Sequence, residues 1–177
     1  MTSPPSDDLS DAPVGLILHD GEEHVAGLLA AFAAELRGLG VDVGGLVQRD
    51  AVDAAGRPRM ELVDVRGGEV FPISLDLGAG SDSCSLDTAG LAEASVVLRR
   101  EMAAGVALLV VNKFSSRESE GEGLAAEMFE AIAGGIPLLT TLSRRHRERW
   151  DEMTGGVGTM LPPERAALHA WWRAVSA

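Results

Sequence analysis

The chain has 177 residues and a formal net charge of −12, long enough for one domain with a sizeable core. That charge has the wrong sign for wrapping a phosphate backbone or docking on an anionic membrane. A single cysteine, Cys84, excludes an intrachain disulfide and a Cys-cluster zinc site.

Residues 1–12 are acidic and rich in Pro and Ser, too polar to offset the cost of ordering, and read as a disordered tail before a single α/β domain over 13–177. That opening is the opposite of a basic secretion signal, and the longest aliphatic run, 106–111, is too short to cross a bilayer. A soluble, cytoplasmic protein is expected. "PVGLILHD" reads as a buried strand. Asp20 or Gly21 is the expected cap of the following helix, with Glu22 and Glu23 favourably placed in its first turn. Val25, Leu28, Leu29, Phe32 and Leu36 form its apolar stripe, and Gly40 suits a left-handed stop.

"VDVGGLVQRD" is the second strand, and strand–helix–strand predicts a parallel, right-handed crossover unit. "RMELVDV" and "EVFPISL" around "RGG" predict an antiparallel hairpin. Asp87 is the expected cap of a helix over "TAGLAEASVVLRREMAA". "VALLVV" is uniformly aliphatic, the pattern of a central strand covered on both faces. A helix over about 121–133, a short strand "LLTTL", and helices over about 144–153 and 163–175 complete a three-layer α/β/α fold with a mainly parallel sheet and a β-hairpin insertion. Ligands of such sheets bind beyond the carboxyl ends of the strands, here "HDGEEH", "VQRD", "NKFSSRESEG" and "TLSRRH".

Lys113 is the only lysine beside fourteen arginines, and it sits at one of those ends. With Asn112, Ser115 and Arg117 it can make a small cationic, donor-rich site. An ammonium is a compact charge suited to an anion. A structural lysine bridging loop carboxylates such as Glu118 and Glu120 is the competing interpretation. "VVNKFSS" also matches part of the N-K-x-D guanine-reading element, but Ser115 replaces its aspartate. A second anion site is expected in "DLGAGSDSCSLD", where Gly78 and Gly80 free the backbone to turn amides inward and Ser81, Ser83 and Ser85 add hydroxyls. Ordinary turn chemistry explains much of the same composition. Cys84 lies in that loop as a reactive thiol, a soft ligand or a small buried residue.

The turn after the first strand holds His19, Asp20, Glu22, Glu23 and His24, all divalent-metal ligand types; helix capping accounts for the acids without a metal. That turn lacks the lysine and the hydroxyl residue of a phosphate-binding P-loop. "SRRHRERW" concentrates Arg144, Arg145, Arg147 and Arg149, either a solvated helix face or a further part of the rim. Trp171 and Trp172 are adjacent on the last helix, one expected in the core and the other at a partner or homo-oligomer surface.

In its order of segments over residues 13–150, the chain resembles the compact P-loop nucleoside-triphosphatases. In that family the second strand is followed by a Gly-Arg turn and an Asp-Gly hairpin, with a later "P-hydrophobic-T" strand. The resemblance implies a degenerate scaffold, because Asn112 and Lys113 stand where metal-binding and water-activating acids would be. "GLVQR", "ISLDLGAGSDSCSLD", "VNKFSSRESEGEGL" and "GIPLLTTLS" together resemble a bacterial domain-of-unknown-function family found beside molybdate-transport or molybdoenzyme genes. That resemblance implies a role in molybdenum handling. The expected function is a non-hydrolysing binding or regulatory protein for a small oxyanion such as molybdate, or a phosphate-bearing ligand such as a nucleotide. The alternatives are an atypical nucleoside-triphosphatase or phosphotransferase, and an assembly adaptor acting through the Trp171/Trp172 helix.

Overall fold

A computed structural model describes residues 13–21, 24–75, 85, 86 and 88–177. The expected tail over 1–12, the first-turn acids Glu22 and Glu23, the cap Asp87, and the nest residues Gly78, Gly80, Ser81, Ser83 and Cys84 lie outside the described residues. Of Ser85 only the backbone is described, as part of a short strand.

In chain order the elements are β1 (Val14–His19), α1 (Val25–Gly38), β2 (Val43–Val52), β3 (Pro58–Asp64), β4 (Val70–Pro72), β5 (Ser74–Leu75), β6 (Ser85–Leu86), α2 (Thr88–Ala104), β7 (Leu108–Phe114), α3 (Ser116–Ser119), α4 (Ala125–Ala133), β8 (Leu138–Ser143), a 3₁₀ turn (Arg144–His146), α5 (Arg147–Thr154), β9 (Thr159–Leu161) and α6 (Arg165–Val175). Seven strands form one sheet in the order β4-β3-β2-β7-β8-β1-β9, and β5 and β6 pair as a separate ribbon. β9, β1, β8, β7 and the first half of β2 run parallel. The second half of β2 runs antiparallel to β3, which pairs with β4. The fold is therefore three-layer α/β/α, with the hairpin extending one sheet edge.

Burial follows from the pattern. On β7, Leu109 and Val111 face one apolar cluster with α2 and α4, whereas Leu108 and Val110 face another with α1 and α6. A strand covered twice has no room for a polar alternation, which is why "VALLVV" is continuous. Two glycines let β2 sit against this strand. A Cβ on Gly45, whose φ is +129°, would stand 1.9 Å from the Val110 carbonyl oxygen. One on Gly44 would stand 2.5 Å from a carboxylate oxygen of Glu101. That carboxylate is buried and bound by Arg66 and Arg100, and Arg100 also holds the buried Asp64 at 2.8 Å.

Several local expectations change. α1 starts only at Val25, behind a left-handed His24 (φ 71°) rather than an Asp20 or Gly21 cap, and its first turn carries no acid. Its far end is as expected: Gly40 takes φ +85°, its N–H donates to the Arg37 carbonyl, and the Val41 N–H to that of Leu36, a Schellman stop. Within "GGVGTML", to which the sequence assigned no element, Thr159–Leu161 forms the edge strand β9. Trp171 is buried, and Trp172 is half-buried and packs against the same cluster. Among the described residues, no helix is long and apolar enough to cross a membrane.

Candidate functional site

The site begins with an irregularity in β7. Val111 pairs with Thr140 and Phe114 with Leu142 on β8, so Asn112 and Lys113 together oppose the single residue Thr141. This is a bulge, which kinks a strand and re-aims a side chain. The Thr141 hydroxyl donates to the Asn112 carbonyl at 3.1 Å. It satisfies an acceptor at a point where the regular ladder is interrupted. Below the bulge, Phe114 meets Trp150 edge to face at 5.0 Å, and the Trp150 indole N–H donates to the Val157 carbonyl at 2.9 Å. Lys113 thus stands on a strand end fixed from both sides.

Three parallel strand ends open into one cleft of about 500 Å³. β1 contributes His19, Asp20 and Gly21; β7 contributes Lys113 and Phe114, followed by Ser115 and Ser116; β8 contributes Ser143, followed by Arg144, Arg145 and His146. Among the described residues of the cleft, Lys113, Arg144 and Arg145 stand with one carboxylate, Asp20, in a chain whose overall charge is −12. Asp20 binds Arg144 at 2.8 Å. His19 is buried, and its Nδ1 lies 2.5 Å from the Gly21 carbonyl; donation there leaves Nε2 as the ring's other polar atom.

A smaller cavity of about 140 Å³ lies behind the same strand ends, and Lys113 and His19 line both. Asn112 belongs to this smaller cavity and not to the large cleft: it is buried and donates to the Gln48 side-chain oxygen at 3.1 Å. A third hollow, of about 610 Å³, lies across the Asp20–Arg144 ridge, lined by Leu18, His24, Val25, Leu28 and Pro163.

The loop after β7 is organised by a carboxylate. Glu118 is buried; one of its oxygens accepts the Ser115 hydroxyl at 2.9 Å and the Ser115 N–H at 3.2 Å, and the other accepts the Leu124 N–H at 3.3 Å. Ser115 therefore borders the cleft with its hydroxyl proton already committed. Arg117 turns elsewhere: it pairs with Glu122 at 3.4 Å and lines a separate hollow with Thr88, Leu91 and Ser95. Of the expected residues, Lys113, Ser115 and His19 meet in the cleft, Asn112 lies behind it, and Arg117 and His24 lie outside it.

Arg144 and Arg145 prove to be rim residues, whereas Arg149 bonds the Ser119 carbonyl and Glu152. His146 was not singled out by the sequence; the only available signal was its position one residue beyond two arginines at a strand end. Its Nε2 is buried with no hydrogen-bond partner among the described residues. Burial, then the charge of Arg145, holds its pKa below the ordinary 6.5, against an opposing pull from Glu118.

The end of β7 presents an amide and an ammonium in place of carboxylates. Among the described residues, no three His, Cys, Asp or Glu side chains form a group able to hold a metal. The arrangement suits direct recognition of an anion by cations and hydroxyls.

Comparison with known proteins gives three findings. The model of a family described as "Protein of unknown function (DUF2478)" matches residues 14–171. The chain is 43% identical over 164 residues to the molybdenum import ATP-binding protein ModC 2 of Bradyrhizobium diazoefficiens; the match covers 92% of this chain but only 18% of that protein's length. The solution structure of a human cancer-related nucleoside triphosphatase superposes with a TM-score of 0.59 at 17% identity, covering 92% of this chain and 95% of the other. The last likeness shows the fold alone, an α/β arrangement shared over nearly the whole of both chains.

Proposed function

Since the chain belongs to the DUF2478 family, we propose a function for it from the cleft: a non-hydrolysing binding protein for a small oxyanion or a phosphate-bearing ligand, acting in the cytoplasm and in molybdenum handling. The observation that carries this reading is the convergence of the only lysine, lifted on a β-bulge in β7, with Arg144 and Arg145 at the end of the adjacent β8. Lys113 supplies a compact charge, the two guanidiniums offer planar donor forks, and Ser116 and Ser143 add hydroxyls. A volume of about 500 Å³ is within the range of organic-ligand sites, so it accommodates a phosphate-bearing molecule as well as a bare oxyanion.

Molybdate enters as a candidate through the molybdenum import protein to which this chain is 43% identical. It is a tetrahedral dianion, matched by cations and donors rather than by metal-ligand side chains. The absence of hydrolysis is inferred from the strand ends. With Lys113 and Asn112 closing β7, no described carboxylate there activates water or positions magnesium.

A thermal-shift screen against molybdate, tungstate, phosphate and nucleotides with magnesium, joined to a phosphate-release assay, tests the reading. Occupancy at a hundred times Kd stabilises by about 2.7 kcal/mol, or roughly 5–10 °C for a chain of this size. The expected result is such a rise with at least one dianion and no magnesium-dependent phosphate release. Flat melting with every anion, or sustained phosphate release, overturns it.

A further inference from the structure

His19 stands where the cavities of this face meet. It ends β1, in register with Ser143 at the end of β8, and among the described residues it alone lines the 500 Å³ cleft, the 610 Å³ hollow and the 140 Å³ cavity. The residue is 9% exposed, and its Nδ1 lies 2.5 Å from the Gly21 carbonyl. A carbonyl only accepts, so Nδ1 carries a proton and donates it. Nε2 is left as a polar atom with no hydrogen-bond partner among the described residues. An interior polar atom without a partner costs stability; a ligand in the adjoining cleft supplies one.

We propose that His19 is a further anion-binding residue of the cleft: its Nε2 contacts the bound oxyanion and carries a proton when it does so. The inference rests on the anion-binding reading above. Toward an anionic oxygen a lone pair on Nε2 is repulsive, whereas an Nε2–H makes a charge-assisted hydrogen bond. With the Gly21 carbonyl holding the Nδ1 proton, that second proton makes the ring an imidazolium. The surrounding groups pull on this state in both directions. Lys113 of β7, and Arg144 and Arg145 after β8, line the cleft with the ring and disfavour another cation. His146 lines the cleft and His24 the hollow as further titratable rings. Asp20 favours the imidazolium but is held by Arg144 at 2.8 Å, and Asp50 of β2 favours it from the smaller cavity. An oxyanion entering the cleft adds a further favourable charge, and an opposite charge within about 4–6 Å moves a pKa by about 1–3 units toward the charged form. Sulfate and molybdate bring no proton of their own, so the proton comes from solution. Anion and proton then bind together, and affinity for such an anion rises as pH falls.

Sulfate and molybdate are titrated calorimetrically into the full chain at about pH 7.5, above the ordinary histidine value of about 6.5. Buffers of different ionisation enthalpy are compared, so that the difference in heat counts protons. His19→Asn keeps a donor at the Nδ1 position for the Gly21 carbonyl and removes Nε2. His19→Gln places an amide N–H at the Nε2 position but takes up no proton. Wild type is expected to take up roughly half a proton or more per anion bound. His19→Asn is expected to lose that uptake and about tenfold in affinity, the lower range for a hydrogen bond to a charged group. His19→Gln is expected to recover part of the affinity without the uptake, which a purely structural role would not produce. His146→Gln is expected to retain the uptake. Binding without uptake, uptake that persists in both His19 variants, or uptake lost only in His146→Gln overturns the role of His19 and leaves the anion cleft standing. If neither anion binds wild type, the oxyanion reading of the cleft fails and this inference with it.

Discussion

Replacing Thr141 by valine isolates the device that presents Lys113. The threonine is 4% exposed, and its hydroxyl donates to the Asn112 carbonyl at 3.1 Å across the bulge. Valine keeps the branched shape but removes the donor, so the carbonyl loses this partner in a buried setting. Such a loss costs about 1–3 kcal/mol. The added methyl recovers up to about 0.8 kcal/mol, leaving a net destabilisation of roughly 1–2 kcal/mol. Urea denaturation followed by circular dichroism reads this as a lower midpoint at unchanged slope, and thermal melting as a fall of about 2–8 °C. Anion affinity should weaken as well, because the bulge that aims Lys113 loses its brace. A variant within about 0.5 kcal/mol of wild type, the spread expected of a surface change away from any such feature, would show that the bulge does not depend on this hydrogen bond.

Two glycine replacements should move stability in opposite directions. Gly45→Ala places a methyl 1.9 Å from the Val110 carbonyl at φ +129°, and should give insoluble protein or a melting temperature lowered by more than about 10 °C. Gly27→Ala, in α1 with nothing within 4 Å, should stabilise by about 0.5–1 kcal/mol. Asp64 supplies an acid-sensitive contact. Burial raises its pKa, but the hydrogen bond from Arg100 and the amides of Gly67 and Arg66 outweigh that and hold it below 3.8. Its stabilisation is therefore complete above the unfolded-state value and is lost as pH falls through the lower folded value. Asp64→Asn should flatten that acid limb in urea midpoints measured below about pH 4. For His146 the sign is the same: a folded pKa below 6.5 means stability declines as pH falls from 6.5 toward the folded value. Its imidazole resonance should titrate below 6.5 and move upward in Arg145→Gln; a midpoint at or above 6.5 in wild type would contradict the burial argument.

The layers were legible because burial on two faces leaves a plain trace. Leu108–Val111 is aliphatic without interruption, and α1 repeats its apolar stripe through Val25, Leu29, Phe32 and Leu36. The paired glycines of β2 left no such trace, since what requires them, the Val110 carbonyl and the buried Glu101 carboxylate, lies on other elements. What the sequence did not disclose depends on pairs of distant residues. A bulge at Asn112–Lys113 is defined by the register of β8, not by β7 itself. Arg117 and Lys113 are close in sequence, yet Glu118 folds the intervening loop so that one faces Glu122 and the other the cleft. Arg144 and Arg145 read more readily as a solvated helix face, because a 3₁₀ turn at a strand end and the first turn of an exposed helix share one composition. His24 shows the limit of capping rules: it enters the helix from the left-handed region with no side-chain hydrogen bond.

Whether Lys113 binds an anion is read out by a single titration. Molybdate and sulfate are titrated calorimetrically into wild type and Lys113→Met, which keeps an apolar stem and removes the charge. Lys113→Met is expected to lose about tenfold or more in affinity, the equivalent of 1.4 kcal/mol, with a melting temperature within a few degrees of wild type. Equal affinity in the two proteins would contradict it and return the lone lysine to a structural role in the loop.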